Sequence, residues 1–562
     1  MMMLAASELH AVDYAVLVGY FAIMLGVGAY FWRYMKGMKD YFSGGNRIPW
    51  WLSGVSFYMS GFSAFLFVAY SAVAFNHGFV AVVACSVTGP AVLIGGLLFA
   101  GYWRRTRMVS PVEYLEERYG LTLRQTFAWM NVPVRMIDDG LRLVAIGLFV
   151  SGGLGMPLEE GIFWSGVIIL AYTCMGGLWA VTVTDFLQFV VMAAGVVVLL
   201  PLSLGQIGGL RGLIENSPPG FFNWTGGEYT WRYLGGWALI VFCSYNTNFA
   251  LVQRYYCVAT ERDARKAAIL VAVLYVIGAF VFFVPAMAAR QFLPDGNPEM
   301  IYAEVCVRLL PAGMLGLIIA AMFSATMSAL SSDYNVVASV LTNDVYKRLL
   351  NRNASEKTLV LVGRLTTLLI GVIALGVAMA IMKAESSKGL FRQMVTLFSV
   401  AMPPIAIPML LGLVWRRATH IGALVGFLVG IVVGLVMFYR GDVEHAMAAT
   451  TAVTTLVVMA GVSLAIPAGP AERLRSEAFA RKLATPVKHD VVEADAGTGP
   501  SPFRVVGVST VAIAVLLLGI TPFVPWGMGA KLNLGIGLFL LLIGALWATR
   551  ARGPAVGTEA ES

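Results

Sequence analysis

Apolar runs of roughly 20 residues, parted by short polar stretches, recur from Tyr14 almost to Arg550. A run of that length crosses about 30 Å of hydrocarbon at 1.5 Å per residue. Inside lipid it must be helical, because every backbone N–H and C=O has to be paired within its own segment. The pattern predicts spans over residues 14–33, 50–75, 79–103, 125–155, 161–177, 181–204, 234–256, 267–289, 312–342, 358–382, 391–415, 419–439, 445–466, 504–523 and 532–549. The chain is therefore expected to be an all-α polytopic membrane protein with about fifteen transmembrane helices. An odd number puts the termini on opposite sides of the bilayer.

Lys and Arg collect in alternate loops: Arg33, Lys36, Lys39 and Arg47; Arg104, Arg105, Arg107, Arg118 and Arg124; Arg254, Arg262, Arg265 and Lys266; Lys347, Arg348 and Arg352; Arg416 and Arg417; Arg473, Arg475, Arg481 and Lys482; Arg550 and Arg552. The positive-inside rule makes those loops cytoplasmic, which places the N-terminus outside and the C-terminus inside. The loops between them, such as Met156–Glu160 and Gly205–Arg232, are poor in basic residues. The expected division is an N-terminal helix and cytoplasmic loop over 1–49, a core over 50–415, two accessory helices over 416–466, a polar cytoplasmic linker over 467–503, and two C-terminal helices with a tail over 504–562.

Composition narrows the class. Hydrophobic residues make up 59% of the 562 and charged residues only 12%, with a mean hydropathy of +0.78, whereas a soluble domain carries about 25% charged residues. A water-soluble fold is excluded. The net charge of +8 sits in short loops rather than on a folded basic face, so topology accounts for it and no nucleic-acid partner is expected. Five cysteines (Cys85, Cys174, Cys243, Cys257 and Cys306) are scattered without the spacing of a metal site. The first residues lack the basic stretch and small-residue cleavage site of a signal peptide, so the first span is expected to be retained. Five histidines offer no nucleophile–His pair or metal spacing, and the expectation is a carrier rather than an enzyme.

Polar residues inside the spans carry the candidate chemistry. The second span collects Met59-Ser60-Gly61-Phe62-Ser63 at its centre, where a lipid-facing helix would carry Leu or Ile. Either the helix breaks there and frees carbonyls for a cation, or small residues let helices pack closely. The seventh span holds Ser244-Tyr245-Asn246-Thr247-Asn248, a block that is costly in lipid unless it lines a wet cavity or unwound backbone. These two spans would each open a five-helix repeat, over 50–204 and 234–415. In the ninth span Ser324 and Ser328 stand four residues apart on one helix face, among Ala320, Ala321, Ala325 and Ala329. Their hydroxyls either ligate a hard cation or bond back to the preceding turn.

Two further places hold intramembrane charge. Asp185, in the sixth span, either serves a cation or proton or is a helix-terminal carboxylate near the cytoplasmic interface. Asp138, Asp139 and Arg142 lie well inside the fourth span. Arg142 can reach Asp138 at i,i+4 and Asp139 at i,i+3. Two carboxylates exceed one guanidinium, which in a low dielectric calls for another partner. Arg142 either pairs internally or grips a substrate carboxylate with its fork.

Three ordered motifs resemble the sodium/solute symporter family. Asp40-Tyr41-Phe42-Ser43-Gly44-Gly45-Asn46-Arg47-Ile48-Pro49-Trp50-Trp51 is similar to its DYF-x-(A/G)G-(R/N)-x-(L/I)PWW segment. Met175-Gly176-Gly177-Leu178-Trp179-Ala180 through Thr184-Asp185 is similar to its GGL-x-A…TD segment, and the ninth span through Asp344-Val345-Tyr346-Lys347-Arg348 resembles its AA-x-x-S…D-x-YKR helix. The resemblance implies a LeuT-like 5+5 inverted repeat with extra N- and C-terminal helices. It also implies Na+ as coupling ion, held by the carbonyls of Met59, Phe62 and Ala321 and the hydroxyl of Ser324. Family members commonly have a second hydroxyl after the first, where this chain has Ala325. Some relatives hold a second cation at positions matching Asp185 and Ser328, with Met327 here in place of a usual serine.

Sugar-binding members use Gln and Glu where this chain has Leu66 and Cys85, and a further Gln near Val395, so a glucose-like substrate is disfavoured. Sialic acid symporters are similar in carrying an arginine near Arg142 that grips a carboxylate. The residues expected to face substrate are Ser63, Thr88, Asp138, Asp139, Arg142, Tyr245 and Asn248. The expected function is sodium-coupled symport of a sugar acid, amino sugar or amino acid across a bacterial inner (cytoplasmic) membrane, with the solute and the lipid bilayer as partners. The alternatives are proton coupling through Asp185, or a non-transporting solute sensor; sensors of this fold carry kinase domains, whereas about a dozen residues follow Arg550 here.

Overall fold

Helices begin and end close to where the apolar runs do. The computed structural model describes residues 10–32, 46, 48–108, 111–173, 178–311, 313–351, 353–384, 389–487, 502–523 and 526–550. Outside the described residues lie Arg33, Lys36, Lys39 and Arg47, most of the Asp40–Arg47 motif, Cys174, Met175–Gly177, Arg352, linker residues 488–501 and the tail with Arg552.

In chain order the helices are α1 (Ala11–Trp32), α2 (Trp50–Ser60), α3 (Leu66–His77) and α4 (Val80–Arg105), α5 (Pro111–Tyr119), α6 (Leu121–Leu154), α7 (Leu158–Thr173) and α8 (Leu178–Gly205). The second half holds α9 (Trp231–Thr247), α10 (Phe249–Tyr256), α11 (Glu261–Phe292), α12 (Met314–Val340), α13 (Glu356–Lys383) and α14 (Leu390–Val414). The chain closes with α15 (His420–Arg440), α16 (Glu444–Ala465), α17 (Pro470–Ala484), α18 (Pro502–Ile520) and α19 (Met528–Arg550). Each expected span falls on one of these helices or on a consecutive pair. Ten described helices are long and apolar enough to cross a membrane alone, so length and apolarity do not by themselves establish fifteen. The shortfall includes α2–α3 and α9–α10, which are interrupted, and α6, which carries Arg124, Arg135, Asp138, Asp139 and Arg142.

α12 is the centre of the bundle. Its most apolar stretch is wholly buried, whereas α13 and α19 bury only 28% and 22% of theirs. α2, α8, α1, α6 and α13 all pack on α12. The start of α12 is held by α1 from across the fold: the buried Asp13 carboxylate accepts from the N–H groups of Gly313 (2.6 Å) and Gly316 (2.8 Å). Those are orphan donors of a helix N-terminus, and an anion there also meets the positive end of the helix dipole.

The stretch expected to be a linker contains a helix. α17 docks on α5, with Lys482 paired to Glu117 and Arg105 donating to the Leu483 carbonyl. α5 in turn closes the end of α14, where Arg118 donates to the carbonyls of Gly412 (3.0 Å), Trp415 (3.1 Å) and Ala418 (3.0 Å). Carbonyls at a helix C-terminus have no intrahelical partner, so a buried guanidinium supplies the missing donors.

Candidate cation and solute site

Of the two readings of Met59–Ser63, the structure takes the break. α2 stops at Ser60, Phe62 N–H turns back to the Met59 carbonyl at 3.0 Å, and the helix resumes at Ala64. Ser63 Oγ accepts from Phe65 N–H at 3.3 Å and so caps the resumed helix. α9 and α10 are parted in the same way at Asn248, whose Oδ1 accepts from Ala250 N–H at 2.9 Å. Each interruption thus ends on a polar residue that caps the next helix.

One tyrosine joins the two interruptions. Tyr245 Oη donates to the Gly61 carbonyl at 3.4 Å and lies 3.0 Å from Tyr275 Oη. Gly61 has to be a glycine: a Cβ there would stand 2.6 Å from Tyr275 Oη and press on the Tyr245 ring. Thr326 of α12 accepts from Ala64 N–H at 3.0 Å, which seats the first interruption against α12. Thr88 is buried in α4, a helix that packs on α9 and α11.

The α12 hydroxyls behave differently from one another. Thr326 bonds back to the Met322 carbonyl, whereas Ser324 Oγ is wholly buried and has no partner among the described residues. An orphaned buried hydroxyl costs about 1–3 kcal/mol. It lies on the helix that seats the break, where a free hydroxyl can serve an oxygen-seeking cation. Met59 and Phe62 at the break and Ala321 on α12 are fully or almost fully buried. Ser328, one turn on, donates to Asp185 instead.

Asp185 is not a helix-end carboxylate facing the interface; none of it is exposed. Ser56 of α2 donates to one oxygen and Ser328 of α12 to the other. Arg254 of α10 brings Nη2 to 3.6 Å and ties into Ser56 Oγ at 3.1 Å and the Ala250 carbonyl at 2.8 Å. Arg254, counted above with a cytoplasmic loop, is 1% exposed and acts as the counter-ion.

The third polar group lies between α6 and α12. Arg142 meets Asp138 at 2.8 Å as the i,i+4 spacing predicts. The expected i,i+3 pairing with Asp139 is absent among the described contacts, and Arg142 turns its other arm to Asp333 of α12 at 3.4 Å. Arg135, one turn before Asp138, approaches it at 3.4 Å and Asp333 at 3.9 Å. The partner that excess charge demanded is therefore a second guanidinium, but it arrives with a third carboxylate. Asp139 keeps both oxygens buried and unpartnered.

The sequence model of the sodium:solute symporter family matches residues 41–430. The chain belongs to that family. The symporter is 28% identical over 461 residues to the sodium/myo-inositol cotransporter 2 of Oryctolagus cuniculus, covering 73% of this chain and 67% of that one. It is 27% identical over 384 residues to the sodium/sialic acid symporter SiaT of Proteus mirabilis, covering 65% of this chain and 77% of that one. A solved structure of a substrate-bound, outward-open Na+-coupled sialic acid symporter superposes with a TM-score of 0.72 at 23% identity, covering 82% of this chain and 99% of the other. The fold is the LeuT-type repeat. The protein is a multi-pass membrane carrier, not an enzyme, that couples Na+ to the symport of a small organic solute.

Among the polar residues that form these groups, Arg135, Asp333, Ser56, Thr326 and Tyr275 were not singled out from the sequence. Asp333 carried a usable signal: a carboxylate nine residues beyond Ser324 in an otherwise apolar, small-residue helix. Ser56 carried none, because a lone serine in a membrane helix usually bonds to its own preceding turn.

Proposed function

We propose that the symporter takes up a sugar acid, amino sugar or amino acid, binding sodium at the Met59, Phe62 and Ala321 carbonyls and Ser324 Oγ, and solute at the junction of the two interrupted helices. The observation that carries the cation site is the buried, unpartnered Ser324 hydroxyl on α12, the helix whose Thr326 seats the first interruption. Ser63, Tyr245 and Asn248 stand at the interruptions and supply hydroxyl and amide groups for a polyhydroxylated or zwitterionic solute. Thr88 completes the wall.

Arg142, Asp138 and Asp139 were expected to face the same solute. The Arg142 fork is engaged by Asp138 and Asp333, which supports internal pairing over a grip on substrate carboxylate. At Asp185 the positive charge comes from Arg254, so a second cation on Asp185 and Ser328 would have to displace that guanidinium. The alternation of basic loops supports a bacterial cytoplasmic membrane orientation with the N-terminus outside and the C-terminus inside.

Uptake into proteoliposomes under an imposed sodium gradient, screened against sugars, sugar acids, amino sugars and amino acids, tests the proposal. The expected result is accumulation that collapses when sodium is equal on both sides. Accumulation driven by a proton gradient in sodium-free medium would overturn sodium coupling.

A further inference from the structure

The carboxylates of Asp138, Asp139 and Asp333 converge inside the membrane helices. One oxygen from each lies within 4.8 Å of the others, and all three side chains are buried. Their charge is not balanced. Three carboxylates face two guanidinium groups, those of Arg135 and Arg142, which leaves one negative charge in excess. The excess resides on Asp139, which is 0% exposed and has neither oxygen hydrogen-bonded among the described residues. A bare buried carboxylate costs several kcal/mol, and buried carboxylates in membrane helices mark ion paths or proton relays.

We propose that Asp138, Asp139 and Asp333 form a sodium site separate from the one at Ser324. A single monovalent cation closes the charge, whereas a divalent ion would leave an excess positive charge. The three oxygens, each within 4.8 Å of the others, are also close enough together for one cation with bonds of about 2.4 Å to lie among them. Arg135 and Arg142 hold Asp138 and Asp333 in place from one side, and Asp139, the next residue on α6, supplies the free oxygens. Helix geometry keeps the two sites apart. Asp333 lies nine residues beyond Ser324, about two and a half turns, so it points from the opposite face of α12 and sits about 13 Å further along it. Ser324 and Ser328 face the side where α2 and α8 pack, and Asp333 faces α6. The inference goes beyond the proposed coupling site and does not use its residues.

Equilibrium binding of radiolabelled sodium to the purified full-length symporter decides the matter. Wild type is expected to hold one more sodium ion per chain than Asp139→Asn, and Asp333→Asn is expected to lose the same ion. The rise of unfolding temperature with sodium should shrink in both variants, while Ser324→Ala should alter a different class of sites. Isotherms of Asp139→Asn and Asp333→Asn that coincide with wild type would overturn the site. So would an infrared band of a protonated carboxylic acid that persists in wild type at saturating sodium and vanishes in Asp139→Asn, because a proton would then close the charge. If Asp139→Asn does not fold, Asp333→Asn alone carries the decision. Wild type that binds no sodium would overturn sodium coupling as well, which separates the two failures.

Discussion

The two carboxylate centres on α12 are solved differently. On one face one carboxylate meets one guanidinium: each oxygen of Asp185 accepts a hydroxyl, from Ser56 and Ser328, and Arg254 balances its charge at 3.6 Å. On the other face three carboxylates share two guanidinium groups and one of them is left bare. Both are buried, so dielectric does not distinguish them; completeness does. A satisfied group holds α2, α8, α10 and α12 in register, whereas an unsatisfied one is a place for something not yet bound.

The largest expected effect breaks the second centre. Arg142→Ala leaves three buried carboxylates on Arg135 alone and should destabilise the detergent-solubilised protein by about 3–5 kcal/mol, read as a fall in unfolding temperature. Arg142→Lys should keep most of that stability and most transport; strong loss of transport with stability intact would restore the reading in which Arg142 grips substrate. Slightly smaller, because hydroxyls remain on Asp185, is Arg254→Ala at about 3 kcal/mol. Adding Asp185→Asn to it should recover most of the loss, since the stranded charge goes too. A double variant no better than Arg254→Ala would show that Arg254 acts through its backbone contacts instead of through charge.

Two milder substitutions leave both charged centres alone and ask whether the Ser324 hydroxyl is a ligand. Ser324→Ala should raise the sodium concentration for half-maximal uptake roughly three- to tenfold, equivalent to about 0.7–1.4 kcal/mol, without loss of folding. Unchanged sodium dependence would remove Ser324 from the site. The smallest effect belongs to Ala325→Ser, which restores a second hydroxyl and should lower that concentration by roughly twofold, about 0.4 kcal/mol; a weakening would contradict the geometry.

Much of the scaffold was legible from periodicity and length. The expected spans fall on helices, and the polar centres of residues 59–63 and 244–248 mark where α2 gives way to α3 and α9 to α10. At 59–63 the residues alone left a break and close packing both open, and at 244–248 a polar block called for a wet cavity or unwound backbone, because lipid tolerates no unpaired polar groups. The segment 467–503 was less legible: α17 is polar on its own and is positioned by Glu117, Arg105 and Arg416, none of them near it in sequence. Arg254 misled for a related reason. Counting basic residues near span ends treats every arginine as solvated, and this one is drawn inward by Asp185.

Taken alone, the sequence determined that the chain is all-helical and polytopic, which segments are helices, and which polar residues, among them Asp138, Asp139, Arg142, Asp185 and Ser324, interrupt the apolar runs. Local spacing could pair Asp138 with Arg142, because helix geometry brings residues four apart together. Tertiary structure decided the rest: that Asp333, 191 residues from Arg142, completes one centre, and that Ser56, 129 residues from Asp185, completes the other. The physical reason is that a buried charge takes its partner from whichever helix packs against it, and packing brings together residues whose separation along the chain carries no pattern.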